Sequence, residues 1–235
     1  MSSLDKYKEV KVLVAVPSTG GWHEQMGMSL LAMCTHFMTH SLGEFKKQSI
    51  VPMSVRGSIL SNKRLAAVKQ MQALKCSHVL FIDTDQTFPK TTLHQLLSHE
   101  KEVVAANIAV KRIPSLPTAR GWPEEGESWL DAPLIYTDEE SSGLQKVARI
   151  GCGIMLIEKK VFDVTGLNVF EQPWKEDLQK YQGEDWTMCE AFEKAGFDIW
   201  IDHELSNVVG HIGDFEFTHE VVGSVEEPAL KVAYG

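Results

Sequence analysis

The chain has 235 residues but no C-x-x-C pair; its four cysteines, Cys34, Cys76, Cys152 and Cys189, stand singly and far apart. That spacing argues against a structural zinc site and against a disulfide framework, and leaves reduced thiols in or near a core. Long apolar runs are also missing. Residues 12–16 are typical of what is present, whereas a membrane-spanning helix needs about 20 apolar residues. The opening M-S-S-L-D-K-Y-K-E-V lacks the apolar centre of a secretory signal, so a cytoplasmic location without stable membrane insertion is expected. Basic residues are scarce, 23 against 32 acidic, and a net charge of −9 gives no general electrostatic footprint for nucleic acid. What remains is 43% hydrophobic and 23% charged, which excludes disordered and fibrous classes. Over this length it suits one α/β domain spanning 1–235, with a leader over 1–10 and a C-terminal tail over 216–235. Oligomeric state is not legible.

Residues 77–89, S-H-V-L-F-I-D-T-D-Q-T-F-P, organise the rest. Val79, Leu80, Phe81 and Ile82 make the short continuous run of a strand buried on both faces. Asp83 and Asp85 follow, so they emerge at the strand's carboxyl edge and point the same way along an extended chain. Ligands of open α/β sheets bind at that edge. Two carboxylates there either hold a divalent cation against an anionic substrate or form the turn into a helix opened by Pro89.

Upstream, 11–16 reads as a first strand ended by Pro17, Gly20 and Gly21, and the P-S-T-G-G loop is either one wall of a nucleotide pocket or a plain βα turn. Residues 25–38 predict a helix that buries Met28, Leu31, Met33, Phe37 and Met38. His36 and His40, without an acid nearby, read as core or surface residues rather than ligands. Residues 50–55 predict a second strand, followed by a helix capped by Ser58 or Ser61. Leu60, Ala67, Met71 and Leu74 form its stripe, and Arg64 falls on it. With Asn62 and Arg56, Arg64 either addresses a phosphate or base or snorkels to solvent.

Downstream, 89–98 reads as a helix and 103–110 as a strand. Lys111 and Arg112 then lead a long Pro, Gly and Trp-rich segment through 133, the kind of irregular stretch that forms a functional loop. Residues 138–145 predict a turn between two strands, and 147–157 a strand in which Gly151 and Gly153 allow close backbone approach or a bulge. Val161 and Phe162 start a short helix, and 168–182 reads as a surface loop. Gly183 precedes a helix carrying Trp186, Cys189, Phe192 and Ala195, which Gly196 stops. Glu184 and Asp185 sit in its first turn, where the helix dipole favours acids. After a strand over 197–201, N-V-V-G-H-I-G-D sets His211 between Gly210 and Gly213, as a loop residue or a ligand.

The stretches S-I-L-S-N-K-R, V-L-F-I-D-T-D, V-A-R-I-G-C-G-I-M-L-I-E-K-K-V-F, G-E-D-W and G-H-I-G stand in the order and spacing of GT-A glycosyltransferases. Over roughly residues 11–215 the chain resembles the compact bacterial and bacteriophage members related to the large inverting family 2. The resemblance implies a GT-A fold, a mostly parallel, Rossmann-like α/β sheet flanked by helices. It also implies metal-dependent transfer of a sugar from a nucleoside-diphosphate sugar to an acceptor hydroxyl. The D-x-D metal and donor site maps onto Asp83 and Asp85, with Asp85 the direct ligand and His211 completing the metal site. Asp185, beside Glu184, becomes the catalytic base. Donor contacts fall on Pro17, Thr19, Asn62, Arg64 and Thr84 together with the two aspartates, and 151–153 lines the acceptor side. Asn62 stands where relatives often carry Arg, which leaves the donor's base open.

A diphosphate leaving group calls for a hard cation, and two carboxylates with one imidazole suit Mn²⁺, with Mg²⁺ the alternative. A carboxylate base opposite the leaving group implies inversion, and the loop holding Trp122 and Trp129 is expected to close over the donor. Two other readings stand beside this one. A nucleotidyltransferase of similar architecture requires a cation in the loop after the first strand, which P-S-T-G-G-W-H-E lacks. A non-catalytic, metal-dependent nucleotide or carbohydrate binding module has no need of Asp185. The acceptor could be a glycan, a protein or a modified nucleobase in DNA, the last disfavoured by the acidic charge.

Overall fold

Strand β1 (Val10–Ser18) decides the layering. Leu13 and Ala15 enter one core, while Val10, Val12, Val14 and Val16 enter another, as the two-residue period of an extended chain requires. Helix α1 (Glu24–Thr39) covers the second core with Met26, Leu30, Met33 and Phe37. Strand β2 (Gln48–Arg56) runs parallel to β1, and α2 (Leu60–Ala73) covers the first core with Ala67, Val68 and Met71. Strand β3 (His78–Ile82), every residue of it buried, pairs with the other side of β1. Fully burying one such side chain stabilises by roughly 1.5–3 kcal/mol, so this strand anchors whatever its carboxyl end carries. The computed structural model describes residues 9–41, 47–176, 179–213 and 216–222.

The chain continues through β4 (Gln86–Thr87), α3 (Thr92–Ser98), β5 (Val103–Ala105), β6 (Leu144–Val147), β7 (Ile154–Glu158) and α4 (Lys159–Thr165). A hairpin of β8 (Trp174–Lys175) and β9 (Lys180–Tyr181) precedes α5 (Glu184–Lys194), β10 (Ile199–Asp202), α6 (His203–Ser206), β11 (Gly210–Ile212) and β12 (Glu216–Phe217). The seven-stranded sheet has the order β2-β1-β3-β7-β5-β10-β6. Only β7 and β6 run against the others, so the sheet is mostly parallel in direction. Helices α2, α4 and α5 pack on one face and α1 and α3 on the other. The α/β layering expected from the sequence is therefore the observed one. Strands β12, β11 and β4 form a small antiparallel sheet at its edge. No helix among the described residues is long and apolar enough to cross a membrane. The four cysteines are free, and Cys76, Cys152 and Cys189 are buried.

Several boundaries differ from expectation. Pro17 does not end the first strand; it pairs with Val55, beyond Ala15 where pairing with β3 has stopped, so its missing N–H leaves no ladder position empty on that side. Helix α1 turns Met28, Leu31 and Met38 to solvent at 65, 60 and 57% exposure, because its many apolar residues offer two stripes at helical spacing and the other one is packed. Neither Ser58 nor Ser61 caps α2; Ile59 holds that position without a side-chain bond. The strand expected over 103–110 stops at Ala105. Asn107 instead ties the following loop down, accepting from Ala119 N at 3.0 Å and donating to Ile135 O at 2.8 Å.

The expected strand over 147–157 is broken at 148–153, where Arg120 and Arg149 exchange backbone bonds and Ala148 N–H also donates to Arg120 O, and among the described residues no strand directly precedes the 138–145 turn. The 168–182 loop is not purely surface, since Val169 and Phe170 are buried and Phe170 meets Phe81 edge-on at 6.2 Å. Val10 belongs to β1 rather than to a leader. Phe217 and His219 are buried rather than part of a tail, with His219 Nε2 2.6 Å from Asn107 O. The remainder of the expected leader and tail, 1–8 and 223–235, lies outside the described residues.

Candidate active site

The D-x-D segment is pinned by backbone bonds from three directions. Asp83 N–H donates to Gly153 O at 2.9 Å, His23 N–H at the start of α1 donates to Thr84 O at 3.0 Å, and Ile212 N–H donates to Asp85 O at 2.7 Å. The next residue, Gln86, pairs with His211 across β4 and β11. That pairing brings two stretches far apart in sequence together: His211 Nε2 lies 3.4 Å from Asp85 Oδ2. His211 is thus a strand residue, not a loop residue. Its Nδ1 sits 2.9 Å from Ala109 O, an acceptor, so Nδ1 carries the proton and donates, and Nε2 faces the carboxylate. Lys111, which the sequence reading left unassigned, places Nζ 2.5 Å from the same Asp85 oxygen. Burial acts upward on Asp85, but the His211 imidazole beside it and the Lys111 ammonium bonded to it outweigh that and hold its pKa far below the usual carboxylate range.

Asp83 faces the other way in charge terms, toward Arg64 Nη2 at 3.8 Å. Arg64 is 2% exposed, so it neither snorkels nor stands open to solvent. Its Nη1 donates to Glu184 Oε1 at 2.6 Å, and Glu184 also accepts from Gln172 Nε2 at 3.2 Å. Burial works against the charged guanidinium, yet Cys152, Asp83, Glu184 and Asp185 together raise its pKa. Burial, reinforced by Asp85 and Glu184, pushes Asp83 up to about 6 despite Arg64. The dipole argument for Glu184 and Asp185 therefore covers only part of their placement: Glu184 is buried because it holds Arg64.

Asp185, half-buried in the same first turn, accepts from Trp186 N–H at 2.8 Å. Burial first and Glu184 second raise its pKa. A side chain at Gly151 would reach Thr118 at 3.3 Å and Asp185 Oδ2 at 3.7 Å, so Gly151 keeps the space beside that carboxylate open. Gly153 similarly abuts Ile108 and the Gln86 amide, whose nitrogen and oxygen are buried without a partner.

The loop after β1 is shaped by Ser18, whose Oγ accepts from Gly20 N–H at 2.9 Å. Pro17 is buried, while Thr19, like Asn62 on the first turn of α2, is exposed. Arg56 from β2 lies against Gly20, with a guanidinium nitrogen 3.1 Å from where a Cβ would stand, so this loop does have a cation beside it. The loop with Trp122 and Trp129 is tied down by both rings. Trp122 Nε1 donates to Glu193 at 2.6 Å and Trp129 lies 3.9 Å from the Arg149 guanidinium, which holds the loop against α5. Between it and the β8–β9 hairpin lies a cavity of about 470 Å³ with Asp185 on its wall.

Among the described residues no group of three or more His, Cys, Asp or Glu side chains is gathered to hold a metal. Asp85 and His211 are the pair that does converge. One carboxylate and one imidazole, the latter oriented by its bond to Ala109, are donor types that a divalent cation takes.

The strand order and the reversed β7 make a GT-A-like, Rossmann-type α/β fold, a mostly parallel sheet flanked by helices. No protein-family model matches the chain, and no curated protein does. Solved structures do. A197 from STIV superimposes with a TM-score of 0.55 at 13% identity, covering 93% of this chain and 99% of that one. GalNAc-T7, crystallised with UDP, GalNAc and Mn²⁺, gives 0.53 at 12% identity over 88% of this chain and 44% of that one. At these identities the likeness is one of fold, and the chain spans less than half of the GalNAc-T7 chain.

Proposed function

We propose that the chain is a metal-dependent, inverting glycosyltransferase that moves a sugar from a nucleoside-diphosphate sugar to an acceptor hydroxyl. The observation that carries this reading is the convergence of Asp85 and His211 at the carboxyl edge of β3, with Asp185 beside the glycine loop that follows Arg149. The GalNAc-T7 neighbour, crystallised with UDP, GalNAc and Mn²⁺, accords with the same donor and metal classes. Asp85 and His211, with Asp83, are the residues that would hold Mn²⁺ or Mg²⁺, and Pro17, Thr19, Asn62 and Thr84 would flank the donor. A cation held there would supply charge neutralisation for the departing diphosphate.

Asp185 does the chain's own chemistry. Its carboxylate takes the acceptor hydroxyl's proton as the oxygen bonds to the anomeric carbon, and the bond from that carbon to the diphosphate oxygen breaks with its electron pair leaving on the diphosphate. Its raised pKa makes it a stronger base than a surface aspartate. Attack from the side opposite the leaving group inverts the anomeric centre.

Calorimetry with UDP, GDP, CDP and TDP sugars, with and without Mn²⁺, names the donor. Asp85→Ala then abolishes metal-dependent donor binding, while Asp185→Asn keeps it and lowers kcat by roughly a hundredfold or more, the scale of a lost general base. Metal-dependent binding of wild-type strength in Asp85→Ala, or full turnover in Asp185→Asn, overturns the assignment. Arg56 beside Gly20 favours one competing reading, nucleotidyl transfer. Release of pyrophosphate from a nucleoside triphosphate supplied with a sugar phosphate, with no nucleoside diphosphate released from a nucleotide sugar, would establish it.

A further inference from the structure

We infer that the acceptor carries an anionic group, a phosphate or a carboxylate, close to the hydroxyl that is glycosylated. The inference rests on Asp185 as the base, because the cavity of about 470 Å³ that would receive the acceptor has Asp185 on its wall. The chain as a whole is acidic, with 32 carboxylate residues against 23 cations. The cavity reverses that balance: Arg120, Arg149, Lys175 and Lys180 line it against Asp185 and Glu190.

Two of these cations are set in fixed orientations. Arg120 Nη1 donates to Ala132 O at 2.8 Å and Leu130 O at 3.2 Å, and its guanidinium lies 5.8 Å from the Trp186 ring. Arg149 stacks 3.9 Å over Trp129 and is held by Glu193 at 2.8 Å. A guanidinium fork held in advance loses little entropy when it receives a planar or tetrahedral anion.

The other two make an independent point. Lys175 and Lys180 stand directly opposite each other in the β8–β9 register. Like charges in that position destabilise a strand pair, and a two-stranded ribbon is marginal already. Glu190 relieves Lys175 only from 3.7 Å. An anion between the two lysines removes the repulsion. A cavity of this size holds one ring and its substituent.

Because Trp129 and Trp186 line the cavity, tryptophan fluorescence of the full chain reads its occupancy. Inorganic phosphate and acetate, titrated separately, distinguish the two anion chemistries. With the donor that calorimetry identifies, glucose, glucose 6-phosphate and glucuronate are then compared as acceptors or inhibitors. The anionic member of the preferred pair should exceed glucose by about tenfold in kcat/KM or in inhibitory affinity, the effect of one charge-assisted contact. Lys175→Glu/Lys180→Glu should erase that preference and the fluorescence response while donor affinity persists, and Lys180→Gln should weaken both in a chain with no added charge. Equal behaviour of neutral and anionic compounds overturns the inference and leaves the glycosyltransferase reading intact. So does a phosphate response that survives the lysine variants but disappears in Asp85→Ala, since the anion then sits at the donor edge. Absence of any metal-dependent nucleotide-sugar binding overturns the activity instead, whatever phosphate does.

Discussion

Replacing Arg64 by Met tests whether the acids around it depend on its charge. Methionine preserves the apolar stem within α2 and removes the guanidinium, which is 2% exposed and bonded to Glu184 at 2.6 Å. Glu184 then keeps Gln172 as a donor but stays buried as an uncompensated carboxylate, beside Asp83 and half-buried Asp185. Breaking one side of a buried ion pair costs about 3–5 kcal/mol. A chain of this size loses roughly 2–4 °C of Tm per kcal/mol, so Arg64→Met should melt about 6–20 °C lower. Glu184→Gln in the same background removes the stranded charge and should recover at least half of that loss, since a buried pair replaced on both sides is often near neutral. Thermal melts of the wild type, both single variants and the double variant, followed by circular dichroism without metal, give the coupling directly. An Arg64→Met melt within about 2 °C of wild type refutes the reasoning, as does a double variant no more stable than Arg64→Met. Weakened donor binding with an unchanged melt would instead make Arg64 a donor contact, the role the sequence motif implied.

Two pH-dependent effects follow from the same cluster. Asp185 must be unprotonated to act, and its pKa is raised above the ordinary 3.8, chiefly by burial, so kcat should rise with pH through an acid limb lying above pH 3.8; a limb at or below that value contradicts the assignment. Asp83 is pushed from 3.8 to about 6, so without metal the folded state binds the extra proton and stability falls as pH rises across that interval. With its side chain 34% exposed the effect is screened, and Asp83→Asn should flatten the slope and raise the metal-free Tm at pH 7 by roughly 2–4 °C; a steeper slope or a lower Tm counts against it.

The strands were legible because burial on both faces leaves a simple mark. Residues 79–82 are an unbroken apolar run, and β3 is buried throughout. The positive φ of Gly196, 82°, likewise ends α5 where the sequence implied. What failed were choices between equivalent patterns. Helix α1 carries apolar residues on more than one stripe, and local spacing cannot say which stripe meets a sheet not yet assembled. The 103–110 run has the composition of a strand, but Asn107 bonds to Ala119 and Ile135, partners brought in by the long loop.

The candidate site shows the same limit in its electrostatics. The family resemblance implied that Asp85 and His211 share one neighbourhood, and the β4–β11 ladder brings them to 3.4 Å. It carried no sign of Lys111, which is 2.5 Å from Asp85 only because the chain turns back after β5. Nor did it reveal why an arginine lies on the apolar stripe of α2. Arg64 is accommodated there because Glu184 arrives from α5, 120 positions later, and a buried charge is tolerable only when such a partner exists. Pairing of this kind leaves no periodic trace: Arg64 looks locally misplaced, a cation on an apolar face, whereas Glu184 looks ordinary, an acid at a helix start. Two such residues on elements that pack against one core are therefore worth testing as a pair before either is given a ligand, and the Arg64→Met and Glu184→Gln cycle does so here.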